Sequence, residues 1–195
     1  MHQRYRLTEL GHKSLFDAGI LHRDISIGNI LLTNKDDGFL IDLDLAVKTR
    51  DYQASGAPSK TGTKIFMAIG ALSSEPYSFM HDLESFFWVL FWICIHYDGL
   101  DEKGKVKHRK ACEYEKWNYA TTGELADIKR GLVVEEKRFN EATTGFTTTF
   151  QSLVPCVRDL HKYVFPNGKR WLGENKDLYS QIKTVLEKAR KDLES

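Results

Sequence analysis

The chain has 195 residues, enough for one domain or one large lobe with a real core. Its 28 basic and 27 acidic side chains leave a formal charge of +1, so no overall field argues for nucleic acid or a membrane surface as partner. The longest apolar run, Phe86 to Ile95, is too short to span a bilayer, and the first twenty residues carry charges throughout without the apolar centre of a signal peptide.

Cys94, Cys112 and Cys156 are far apart and odd in number, with no CxxC pair, which reads as reduced thiols of an intracellular protein. In chain order, Tyr5, Leu7, Leu10, Leu15 and Phe16 recur at roughly helical spacing, predicting a helix over residues 3–18 that stops at Gly19. Two short apolar runs, Ile30 to Leu32 and Phe39 to Ile41, flank turn formers between Thr33 and Gly38 and predict a β-hairpin. Asp24 and Asn29 precede its first strand and Asp42 closes its second. Folding the hairpin therefore brings two carboxylates and an amide into one region, and oxygen ligands of this kind suit Mg²⁺.

From Val47 to Thr63 the chain is polar and rich in Gly, Ser, Lys and Thr, which predicts a loop. HDLESFFWVLFWICIHY, beginning at His81, is apolar at nearly every position after Ser85, and a helix apolar all round must be buried on all sides. Beyond Asp98 a charged connector, DGLDEKGKVKHRK, reads as a solvated face. His108 and Cys112 could face one way on a helix as metal ligands, but the pair lacks further ligands. One or two helices follow around Trp117 to Phe139, and the Thr143 to Thr149 stretch carries no pattern. Phe150 to Val164 predicts an amphipathic helix in which Pro155 either strains the middle or marks the true start. A last helix from about Lys176 places Leu178, Ile182, Val185, Leu186, Ala189 and Leu193 on one side, to dock on the body or meet a partner. The fold class is mainly α, of the α+β kind.

HRDISIGN resembles the protein-kinase catalytic loop H-R-D-x-x-x-x-N, and IDLDLA resembles the metal-binding D-F-G segment. HRDIS followed by D-x-D is most similar to the fungal-type protein kinase family. The resemblance implies the C-terminal lobe of the protein-kinase-like fold over residues 1–195: helices around a buried central helix, about 82–97, with a small β-hairpin at the catalytic loop. The catalytic loop would be 21–29, the metal-binding segment 41–46 and the activation segment 42–70. Asp24 would accept the proton of a substrate hydroxyl, with Arg23 meeting a phosphate or acidic group and Thr63 bonding near Asp24. Asn29 and Asp42 would hold Mg²⁺ beside ATP. His22 would pack the loop on the core, and Asp82, in the first turn of the central helix, would accept backbone N–H bonds from the His22 to Arg23 turn. Ser59 or Thr61 could carry a regulatory phosphate.

Departures from the family pattern are Asp44 for the usual Gly, Leu43 for Phe and Ser26 for a lysine. Ile69 and Gly70 replace Pro-Glu, whose ion pair with a distant arginine is then absent or replaced. No G-x-G-x-x-G occurs, so the N-terminal lobe is expected to be missing. The implied activity is MgATP-dependent transfer to a Ser or Thr of an unidentified protein substrate. The rivals are a pseudokinase-like scaffold and, less favoured, a small-molecule phosphotransferase.

Overall fold

A computed structural model describes residues 11–32, 38–49, 62–109 and 113–194. These are mainly helical, with three small two-stranded antiparallel sheets. Helix α1 is described from 11 to 17, then β1 (Ile20–Leu21), β2 (Ile30–Leu32), β3 (Gly38–Leu40) and β4 (Val47–Lys48). A 3-10 turn, Lys64–Phe66, leads into the short helix α2 (Ile69–Leu72) and the long α3 (Phe79–His96). Strands β5 (Tyr97–Leu100) and β6 (Val106–His108) precede a 3-10 turn at Glu113–Asn118. The remaining helices are α4 (Thr122–Val133), α5 (Glu136–Thr143), α6 (Val154–Val164) and α7 (Leu178–Glu194).

Helix α3 is the axis. Every one of its residues except Met80 is buried, so neighbours must surround it, and they do so largely with aromatic rings. Phe91 lies within 6.1 Å, centroid to centroid, of Tyr114, Trp117, Phe139 and Phe146, which come from two separate elements and a loop. Phe87 meets Phe139 and Phe165 on another side. The helix starts three residues before the expected 82, because Ser78 is extended and its N–H donates to His81 Nδ1 at 3.0 Å, closing the first turn from outside. Extended backbone at Tyr97 ends it and begins β5.

The charged stretch after Asp98 is a hairpin rather than a plain connector, pairing Tyr97 with His108 and Leu100 with Val106. Asp101 makes its turn by accepting the Lys103 and Lys105 N–H groups at 2.9 and 2.8 Å, the local side-chain bonding that Asp offers a turn. His108 therefore sits on a strand, its ring 4.8 Å from that of Tyr97, and not on a helix face; Cys112 lies outside the described residues, as do Ser59 and Thr61. The threonines around 145, patternless in the sequence, carry bonds: Thr147 Oγ1 donates to the Tyr97 carbonyl at 2.5 Å, and Thr143 Oγ1 accepts from Arg158 Nε at 2.8 Å.

Pro155 stands in the first turn of α6, where its missing N–H costs nothing. Helix α7 begins at Leu178, two residues late, because the Asn175 carboxamide oxygen accepts the Asp177 N–H at 3.0 Å and holds a turn first. It docks through Leu178, Tyr179, Ile182, Val185, Leu186 and Ala189, all buried. Cys94 and Cys156 are free and buried, and burial pushes both thiols up, Cys156 to about 12, so neither is a ready nucleophile. Among the described residues no helix is long and apolar enough to cross a membrane.

Phe91→Ala should cost about 3–5 kcal/mol, since it removes a fully buried ring that lies against five others. Urea denaturation should show a lowered midpoint with an unchanged slope.

Candidate functional site

Two strand pairs frame the site. Ile20 and Leu21 pair with Lys48 and Val47 on the outside, and Ile30 to Leu32 pair with Leu40 to Gly38 on the inside. The second strand of the inner pair runs one residue earlier than the predicted Phe39 to Ile41, and the connecting turn lies outside the described residues. Held at both ends, the loops 22–29 and 41–46 must run side by side. Two bonds close the gap: Ile41 N–H donates to the Asn29 carbonyl at 3.0 Å, and His22 Nε2 donates to the Ile41 carbonyl at 3.0 Å. Because a carbonyl only accepts, Nε2 carries the proton, and His22 Nδ1 accepts the Asp24 N–H at 3.3 Å. The fully buried His22 thus spans both loops.

Asp24 is half-buried and its oxygens are divided between two neighbours. Oδ1 accepts the Thr63 N–H at 2.7 Å and the Thr63 hydroxyl at 3.0 Å; Oδ2 accepts Asn29 Nδ2 at 3.1 Å. The same Asn29 nitrogen donates to the Asp24 carbonyl at 2.9 Å. Both amide N–H groups being spent on Asp24, the Asn29 carboxamide presents its oxygen as the remaining ligand. Asp42 is exposed, with a single long contact of 3.4 Å from the Asp44 N–H to its Oδ1. Arg23 and Asp42 both have positive φ, 70° and 63°, a conformation that non-glycine residues adopt reluctantly and that concentrates at working sites. The guanidinium of Arg23, otherwise buried, lies 5.6 Å from the Tyr77 ring centroid.

This donor set fits Mg²⁺: a carboxylate at Asp42 and a carboxamide oxygen at Asn29, both hard oxygens with little competing for them. Among the described residues no group of three or more His, Cys, Asp and Glu could hold a metal ion. Mg²⁺ would instead draw on one or two protein oxygens completed by phosphates and water.

Asp82 supports the loop from beneath. Its carboxylate accepts the backbone N–H groups of His22 and Arg23, each at 3.0 Å, the Tyr77 hydroxyl at 2.7 Å and His12 Nε2 at 2.8 Å. Burial is the largest influence on this acid and would raise its pKa, but the bonds from His12 and Tyr77, with the electrostatic influence of the His12 and His22 side chains, outweigh it, and the pKa is lowered. His12 in turn bonds the Tyr179 hydroxyl at 2.6 Å, tying α7 to the same carboxylate.

The segment after Thr63 is pinned by groups that sequence reasoning missed. Gly62 has φ 105°, and a Cβ there would stand 2.6 Å from the Arg23 carbonyl, so only glycine lets this segment lie on the 22–29 loop. Lys64 Nζ donates to the Asn118 and Ala120 carbonyls at 3.0 and 2.7 Å. Lys129, fully buried, donates to the Ile65 and Met67 carbonyls, and Glu84 Oε1 accepts the Ile69 N–H at 2.7 Å. The anchoring ion pair is replaced: Arg170 forks onto both Glu75 oxygens at 2.5 and 2.6 Å, holding the Glu75 carboxyl below its usual range. Gly70 explains itself here, since a Cβ would fall 2.3 Å from Arg170 Nη2 and 2.4 Å from His81 Nε2. The signal for Lys129 was present as a lysine on the apolar stripe of Leu125, Ala126, Leu132 and Val133; for Glu84 it was an acid inside an otherwise apolar helix.

Asp82→Asn should lower stability at pH 7 by about 3 kcal/mol, since four donors lose an ionised acceptor. The depressed folded-state pKa makes this contribution complete above the ordinary value of 3.8 and lost as pH falls toward the folded value. Denaturation curves of protein and variant should therefore converge below about pH 4.

Residues 10–94 match the model of the fungal protein kinase family, described as fungal protein kinase. No curated protein matches the chain. The matched stretch contains Asp24, Asn29, Asp42, Thr63 and Asp82, the residues just described. Over this stretch, somewhat less than half of its length, the chain is similar to the fungal protein kinase family.

Proposed function

We propose that this chain forms the C-terminal lobe of a protein kinase and transfers the γ-phosphoryl group of ATP to a Ser or Thr hydroxyl of a protein substrate. The observation that carries the reading is the double hold on Asp24. Thr63 fixes one oxygen and Asn29 the other, so the carboxylate is oriented before any substrate arrives, which is where most phosphoryl-transfer catalysis originates.

Asp24 would orient the incoming hydroxyl and accept its proton as the oxygen attacks phosphorus. Asn29 and Asp42 would hold Mg²⁺, and the chemistry a bound Mg²⁺ supplies is neutralisation of charge on the phosphate oxygens. Leu31 and Phe39, opposite each other on the inner strand pair and 47% and 51% exposed, give an apolar surface beside these ligands that suits a nucleobase. Arg23 would answer an acidic or phosphorylated group of the activation segment, whose residues 50–61 lie outside the described set. His22 and Asp82 would keep the loop in its working shape. Serine at 26 leaves the family's lysine position without its charge, so the substrate's phosphate side would rest more heavily on Mg²⁺ and Asn29.

Transfer of labelled phosphate from MgATP to a mixed panel of protein substrates should be detectable with the protein. Asp24→Asn should reduce kcat by about 10²- to 10⁴-fold while leaving MgATP binding unchanged by titration calorimetry. Asp42→Ala should abolish the Mg²⁺-dependent part of that binding. Unchanged turnover in Asp24→Asn would refute the assigned base; no uptake of MgATP at all would favour a scaffold that binds without catalysis.

A further inference from the structure

Lys129 is the one fully buried lysine among the described residues, and its position is unusual on chemical grounds. Its Nζ donates to the Ile65 carbonyl at 2.9 Å and the Met67 carbonyl at 2.7 Å, and sits 4.6 Å from the Trp88 ring centroid and 5.4 Å from that of Trp117. Two carbonyl oxygens accept N–H groups of the amine while two indole rings shut it off from water, and the amine has the N–H groups for both bonds whether charged or neutral. These carbonyls belong to the turn that follows Thr63, and Phe66 N–H returns to the Thr63 carbonyl at 2.9 Å, so the turn and Thr63 move as one piece.

We propose that Lys129 is a positioning residue for Asp24: by clamping the Ile65 and Met67 carbonyls it seats the turn that presses Thr63 onto the Asp24 carboxylate. For its catalytic meaning the proposal rests on the phosphotransfer reading; the seating itself does not. Helix α4, far along the chain and outside the matched family stretch, would thereby reach the Asp24 carboxylate through a chain of three named contacts.

Protonation of Lys129 should report on the seat. Burial lowers its pKa from the ordinary 10.5 to about 7, with Glu84 on α3 partly opposing the fall. Of the other charged groups near it, Lys64 is turned to the Asn118 and Ala120 carbonyls, and Arg130 on its own helix pairs with Asp127 at the surface. When the turn lifts, water reaches the amine and its pKa returns toward 10.5. The lifted form thus binds more protons between those values, and lifting becomes rarer as pH rises above about 7.

The test is amide exchange followed by mass spectrometry on the whole chain, corrected for intrinsic exchange. Lys129→Met, which keeps length and loses the two N–H donors, should raise opening of residues 62–70 at least about tenfold at pH 7 while leaving residues 81–95 of α3 unchanged. In the unaltered protein, opening of 62–70 should fall by up to about tenfold per pH unit from pH 7 to 9, and this slope should vanish in the variant. Normal protection of 62–70 in a folded variant overturns the proposal, as does equal loss of protection everywhere. If the variant does not fold, the pH series on the unaltered protein decides, a flat series being the negative result. In the phosphotransfer assay Lys129→Met should raise KM for protein substrate and leave KM for MgATP in place. Absence of any phosphotransfer would count against the kinase reading alone, because the exchange results stand without it.

Discussion

One buried carboxylate, Asp82, holds the working end of this molecule together. Four donors meet it, three of them from distant stretches: two backbone N–H groups of the His22 to Arg23 turn, His12 of α1 and, from close by in the chain, the Tyr77 hydroxyl. A charge removed from water needs that number of partners, since each unfilled lone pair would leave desolvation uncompensated. The acid therefore stabilises the loop above it and α1 beside it in one arrangement. Through His12 and Tyr179 the constraint extends to the last helix.

Two further buried side chains, Glu84 and Lys129, perform the same office for the segment after Thr63. Glu84, two residues along α3 from Asp82, takes the Ile69 N–H, and Lys129 takes the Ile65 and Met67 carbonyls. The segment between them has polar backbone with no sheet to satisfy it, and the two side chains supply the missing partners from the core. Arg170 and Glu75 complete the fixing from the surface. Loop order at the site thus arises from two short strand pairs at the ends of the loops and from buried polar side chains projecting out of helices.

Packing of α3 is what makes both devices possible. Its apolar faces are closed by aromatic rings from several elements, which excludes water from the neighbourhood of Asp82, Glu84 and Lys129. In that setting hydrogen bonds to a charge are stronger and misplacement costs more, so each charge selects a single geometry. The same dryness keeps Cys94 and Cys156 protonated and inert.

The buried helix near Phe86 to Ile95, the hairpin after Asn29 and the resemblance to the fungal kinase family could all be read from the chain. Local pattern suffices for these because apolar runs, turn formers and short motifs act on near neighbours. Local turn chemistry at Asp101 and Asn175 was also written in the sequence, but charge content and helical spacing concealed it. What only the tertiary structure decided is which distant groups satisfy one another. Thr63 on Asp24, His12 on Asp82, Arg170 over Gly70 and Lys129 beneath the Ile65 turn join residues 39 to 100 positions apart. No local rule specifies such pairs: burial makes each buried charge find partners, and the chain's path alone determines which partners are within reach.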